Sequence, residues 1–168
     1  PFTPRGPATR PRDSGRALLI ELQALVDRMR FGAPRRVAQG LDANRLAMLL
    51  AILSRHAGVS LQEHDVFANV VGGLTLAETA TDLPLVLALA SSLRDRPLPQ
   101  VLVAFGEVGL TGEVRPVAYG EERLREAAKQ GFKVAVVPQG NVPRKPIEGL
   151  AVRGVCRVTE AIAAAEAV

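Results

Sequence analysis

DVFANVVGGLTLAETATDLPLVLALASSLRDRPLPQVLVAFGEVGLTGEVRPVAYGEERLR, residues 65 to 125, is the stretch whose reading decides the fold. It reads as a strand, a loop, a buried helix, two short strands joined through a glycine-rich turn, and the start of a second helix. Pro84 is tolerated only in a first helical turn, so the helix over 82 to 93 begins near Thr81 or Asp82. Gly72 and Gly73 permit a sharp exit from the first strand. The loops entering the two helices, ETATD at 78 to 82 and RPVAYGEER at 115 to 123, are the places to look for chemistry.

Upstream, ALLIELQALV at 17 to 26 mixes alternation with apolar pairs, as expected of a strand covered on both faces. Asp42 is placed to cap a helix over 42 to 57, with leucines 46, 49, 50 and 53 on one face and Gly58 as its stop. Downstream, Leu124, Ala127 and Ala128 give the second helix an apolar face, and KVAVVP and LAVRGVCRV are strands. A last helix covers TEAIAAAEAV, with Thr159 as a candidate cap. The expectation is an α+β domain: a mixed sheet in the N-terminal half with helices against it, then a β-α-β-α section. Residues 1 to 16 hold four prolines and no apolar periodicity, so they read as a linker or expression remnant ahead of a domain over 17 to 168.

With 168 residues, 48% of them apolar, the chain suffices for one domain with a full core. Trp is absent and there are five Phe and one Tyr, most of them expected in the core, which leaves few aromatics for stacking on bases. The single cysteine, Cys156, excludes an intrachain disulfide and reads as a small buried hydrophobe, in keeping with a reducing compartment. LAMLLAIL and LPLVLALA have the length of core helices, too short to cross a bilayer, and no signal-peptide pattern opens the chain. A soluble cytoplasmic protein is expected. His56 and His64, with Glu63 and Asp65, match no metal-ligand spacing and read as surface histidines, so no metal site is expected. Glu107, Glu113 and Glu121 read as turn and cap residues before an acid/base set.

The formal charge of +4 is unevenly spread: residues 1 to 36 hold eight arginines against Asp13, Glu21 and Asp27. RMRFGAPRRVAQGL, residues 28 to 41, is the best basic patch, with Arg144 and Lys145 a smaller one. The candidate phosphate contacts are Arg28, Arg30, Arg35, Arg36 and Arg45. An acidic surface on a neighbouring copy fits the same arginines, as does plain solvation. No glycine-rich loop ends in Lys followed by Ser or Thr, and no Gly-x-Gly-x-x-Gly turn lies between a strand and a helix. No nucleotide or other cofactor is therefore expected in this chain.

The order and spacing of these segments resemble the Lon proteolytic domain, whose fold is of the ribosomal protein S5 domain 2 type. The form resembled is the degenerate one at the C-terminus of the bacterial RadA (Sms) family of DNA repair and recombination ATPases. The likeness is carried by DVFANVVGGL, VLVAFGEVGLTGEVRPV and EERLREAAKQGFKVAVVP, and runs from about residue 17 to 168. Active members of the Lon family use a Ser nucleophile and a Lys base. On this chain the Ser falls on Ala80 and the Lys on Glu121. A methyl group cannot attack a carbonyl, and a carboxylate cannot serve as the neutral amine of a Ser/Lys pair.

The resemblance implies a non-catalytic domain that forms a hexameric ring and binds DNA. It further implies that the full-length protein is a DNA-dependent ATPase working with a RecA-type recombinase in branch migration. Two other readings stay open: a pure oligomerisation scaffold, and a residual peptidase using Thr79 or Thr81, for which no lysine stands in the second loop.

Overall fold

The structure, a computed structural model, describes residues 5–9, 17–72 and 78–168. Gly73 and the start of the LAETATD loop lie outside the described residues. Among the described residues, nine strands and four α-helices follow in the order β1 (Arg5–Thr9), β2 (Ala17–Arg28), β3 (Arg36–Gln39), α1 (Ala43–Ala57), β4 (His64–Val70), α2 (Asp82–Arg94), β5 (Leu102–Ala104), β6 (Glu107–Val108), β7 (Val114–Arg115), α3 (Gly120–Lys129), β8 (Val134–Pro138), β9 (Ala151–Val155) and α4 (Val158–Glu166). This is the expected mixture of α and β, but the strands of both halves join one seven-stranded sheet, ordered β3-β4-β2-β1-β5-β8-β9. β2 runs antiparallel to β1 and β4, while β3/β4, β1/β5, β5/β8 and β8/β9 are parallel. β6 and β7 form a separate hairpin.

Period-two alternation sorts the side chains onto the two faces of the sheet. Leu102, Ala104 and Val136 face a large core with α1, α2 and α4, whereas Val103, Phe105, Ala135 and Val137 face a smaller one with Leu124 and Ala127 of α3. α2 is apolar all round because it lies between the sheet and α4, burying every residue from Asp82 to Ser92. α1 ends where expected. Asp42 accepts a hydrogen bond from the Asn44 N–H at 2.8 Å, and left-handed Gly58 (φ 64°) turns its N–H back to Leu53.

Four sequence expectations require correction. Arg5–Thr9, read as linker, is a strand paired with the whole of Ala17–Glu21. Pro7 offers no N–H to a ladder, which is why the segment looks unlike a strand, and its pairing with β5 is limited to Arg5 opposite Val103. β2 is covered on both faces only in part: Ile20, Leu22 and Ala24 are buried on one face and Leu19 packs with the α3 cluster on the other, but Leu25 on that second face is 56% exposed. Cys156 is exposed, since β9 stops at Val155 and the cysteine falls in the turn to α4. Thr159 lies inside α4, whose N-cap position is Arg157.

Candidate functional site

The two loops that would carry a peptidase dyad are folded around other contacts. Thr79–Thr81 is a single 3₁₀ turn in which Ala80 is 1% exposed. The Ala80 carbonyl accepts from the Gly106 N–H at 2.9 Å, and the Gly106 carbonyl accepts from Leu83 at 3.0 Å. Gly106 is required there: its φ is 152°, and a Cβ would stand 3.1 Å from Pro138. The Thr81 hydroxyl donates to the Glu78 carbonyl at 2.7 Å, and the Thr79 hydroxyl donates to Glu107 at 3.4 Å. Glu121 opens α3 from the surface, paired with Arg125 at 2.5 Å. The hydroxyls of Thr79 and Thr81 on either side of Ala80 therefore meet oxygen acceptors, and the position that the resemblance assigns to the base carries an acid held by an arginine.

What joins the two loops is an ion pair that the sequence reading missed. Arg123, 1% exposed, reaches from α3 to Glu78, donates to the Ala118 carbonyl at 3.0 Å and lies over the Phe105 ring at 5.7 Å. A signal was present, because Gly120, Arg123, Leu124 and Ala127 fall on one helical face, so an arginine interrupts an apolar stripe. Its partner had no signal, since Glu78 is remote in sequence.

A second buried pair fixes the start of α2. Asp82, 2% exposed, accepts from Arg45 Nε at 2.9 Å and from the Val108 N–H at 3.0 Å, and Arg45 also donates to the Val108 carbonyl at 3.1 Å. Burial pushes the Asp82 carboxyl above its usual range, opposed by the Arg45 hydrogen bond, which in turn raises Arg45. Arg45, expected among phosphate contacts, is thus turned onto Asp82 and the β6 strand.

The other four arginines lie along or beside the loop that crosses from β2 over the start of β4 to β3. It is pinned at both ends: Met29 N–H donates to the Glu63 carbonyl at 2.8 Å, and Val66 N–H donates to the Arg35 carbonyl at 2.9 Å. Arg35 is further held through its own N–H, which donates to Asp65 Oδ1 at 2.7 Å. Arg36 points to the helical side of the sheet, donating to the carbonyls of Leu61, at 2.8 Å, and His64. Arg28 and Arg35 are exposed and loosely paired, with Glu63 at 3.6 Å and Asp65 at 3.4 Å. Arg30 is exposed and makes no ion pair among the described residues. The fold therefore brings Glu63 and Asp65 beside a patch that looked purely basic. The Arg35 N–H and the charges of Arg35 and Arg36 hold the Asp65 carboxyl below its usual range.

Beside this loop the sheet face away from α1 and α2 is open. Register sets Leu25, Phe67 and Val37 in one row across β2, β4 and β3, all at least partly exposed, with Arg35 lying 5.7 Å from the Phe67 ring centre. Arg144 and Lys145 are exposed and line a cleft of about 450 Å³ with Glu121 and Asn141. His56 bonds the Leu110 carbonyl at 3.0 Å and is structural. No group of His, Cys, Asp and Glu among the described residues is arranged to hold a metal ion. No helix of the described residues is long and apolar enough to cross a membrane.

Comparison with known proteins gives this geometry a relationship. A family model described as subunit ChlI of Mg-chelatase matches residues 44–141, which take in nearly all of α1, then α2, the loops entering α2 and α3, and β8. DNA repair protein RadA of Salmonella typhimurium is 60% identical over 147 residues, 88% of this chain and 32% of that protein. The proteins of the same name from Bacillus subtilis and Aquifex aeolicus are 46% identical over 149 residues and 41% over 150, again covering 32% and 33% of their lengths. The chain thus spans about a third of the length of the curated relatives it matches. On the strength of these matches along nearly nine-tenths of its residues, the chain belongs to the RadA family of DNA repair proteins.

Proposed function

We propose that this chain is a Lon-like domain without peptidase chemistry that forms a ring and binds DNA within a RadA-type repair ATPase. In the full-length protein, a motor outside this chain drives branch migration of recombination intermediates alongside a RecA-type recombinase. The observation that carries the DNA reading is the pinned loop presenting Arg28, Arg30 and Arg35 on one edge of the sheet, in a chain related to DNA repair proteins. Repetition around a ring axis makes weak phosphate contacts act together. The absence of peptidase chemistry is supported by Ala80 and Glu121, and by hydroxyls engaged with acidic or carbonyl oxygens. Arg45 is left out of the DNA set because Asp82 occupies it, and Arg36 serves as a brace for residues 61 to 64.

A second reading rests on the open row Leu25, Phe67 and Val37: a copy-to-copy contact in which the same arginines meet carboxylates of the next subunit. Fluorescence anisotropy with labelled DNA over a salt series, together with light scattering on the same sample, separates the two. DNA binding that weakens as salt rises is expected, and it should weaken further when Arg28, Arg30 and Arg35 become Glu. The control reverses Arg94 and Arg96, which sit on Glu166 at 2.5 and 3.8 Å. Hexamers that bind no DNA at low salt would establish the scaffold reading instead.

A further inference from the structure

We propose that Phe31 is a stacking platform for an unpaired base, so that the arginine loop takes single-stranded nucleic acid in preference to duplex. This deepens the DNA-binding reading above and rests on it. Exposed apolar side chains are ordinary on protein surfaces, but Phe31 is 93% exposed, far beyond Leu110, Tyr119 or Leu25, and its place in the loop is specific. It lies between Arg30, which has no ion pair among the described residues, and Gly32, which takes the left-handed conformation (φ 72°). A Cβ on Gly32 would meet nothing within 4 Å, so that glycine is there for the direction of the chain and not for close packing. With the loop pinned at Met29 and Arg35 and stiffened by Pro34, the ring is held out before any ligand arrives.

The flanking chemistry selects among occupants. A protein partner that buried this ring would also have to desolvate the guanidinium of Arg30 and bring a carboxylate to it, because a buried charge left unpaired is costly. A single nucleic acid strand satisfies both groups at once: a phosphate meets the guanidinium while the neighbouring base offers its π-face to the ring. A duplex offers the phosphate but keeps its base faces stacked on one another. The structure corrects the expectation that most of the aromatics are interior. Phe105 and Phe132 are buried, while Phe31 is the loop apex.

The test compares the parent chain with Phe31→Ala and Phe31→Trp, using labelled oligothymidylate and a duplex of equal length. Phe31→Ala should weaken single-strand binding by about 10-fold, the loss of one base–aromatic stack. Duplex affinity and the salt slope should be unchanged, because no cation is removed. The chain holds no tryptophan, so Phe31→Trp introduces a lone fluorophore whose emission should be quenched by oligothymidylate. Equal affinities for Phe31→Ala and parent, equal losses on both DNAs, or an unmoved tryptophan signal in the bound state each overturn the stacking role while leaving the DNA-binding reading in place. A drop in assembled mass for Phe31→Ala would also overturn it, marking the ring as a contact between copies. If the parent binds neither DNA at low salt, the arginine-loop reading itself fails.

Discussion

Replacing Arg45 with Met should destabilise the domain more than replacing Asp82 with Asn, although the same pair is broken both ways. The asymmetry follows from exposure: the Arg45 side chain is 27% exposed and the Asp82 side chain 2%. When Asp82 is lost, the guanidinium can turn towards water and keep its bond to the Val108 carbonyl. When Arg45 is lost, a carboxylate remains in the core with the Val108 N–H as its remaining donor among these contacts. Stranding a buried charge costs about 3 to 5 kcal/mol, against roughly 1 to 3 for a neutral hydrogen-bonding group left short of a partner. For a domain of this size the larger figure corresponds to a fall in Tm of roughly 6 to 20 °C. It is also a large part of the roughly 5 to 15 kcal/mol by which whole domains are stable.

The pH dependence supplies a second reading of the same perturbation. Burial already raises the Asp82 carboxyl, and the Arg45 hydrogen bond opposes that rise. An acid whose folded value lies above its unfolded one holds its proton more tightly when native, so stability falls as pH rises through the folded value. In Arg45→Met the opposing bond is gone, and the loss between acidic and neutral pH should be steeper than in the parent. Urea unfolding at several pH values measures both quantities. A cost below about 1 kcal/mol for Arg45→Met, or a cost no greater than that of Asp82→Asn, would refute a charge-burial account of this site.

Two further outcomes are expected. Asp42→Ala removes the side-chain acceptor of the α1 N-terminus and should cost about 1 kcal/mol by thermal or urea unfolding, with Asp42→Ser recovering most of it. Glu113 is held down to about 2 by the Thr111 hydroxyl, its own N–H and Arg115. Because its folded value is depressed, its contribution is present above the ordinary value of 4.5 and is lost as pH falls from there towards 2, and Glu113→Gln should flatten the acid limb of the stability profile in that window.

Features set by neighbouring residues were legible before any coordinates. Asp42 and Gly58 bracket α1 because caps act within a turn of the helix they end, and Pro84 placed the start of α2 by the same local logic. β1 was illegible for the opposite reason. A segment holding Gly6 and Pro7 has little intrinsic strand preference, and what makes it a strand is a partner about a dozen residues later in sequence, Ala17–Glu21. Cys156 failed similarly: an apolar residue type suggests burial, yet it falls in the turn after β9.

The candidate site divides along the same line, and the division bears on how far a fold and a reaction can be separated. Ala80 and Glu121 could be read singly, since whether a side chain can serve as a nucleophile or an amine base is a property of one residue. The pairs Glu78–Arg123 and Arg45–Asp82 could not, because each joins residues more than thirty positions apart. These two pairs now brace the turn holding Ala80 from either side, one linking it to α3 and the other to α1 and β6. Placing Ser at 80 and Lys at 121 would therefore set them in a turn whose neighbouring hydroxyls bond to oxygens and whose entry to α3 is spanned by a buried arginine. On this reasoning the chemistry and the scaffold are separable: the turn is kept because it anchors α2 in the core, so its persistence is no argument for catalysis.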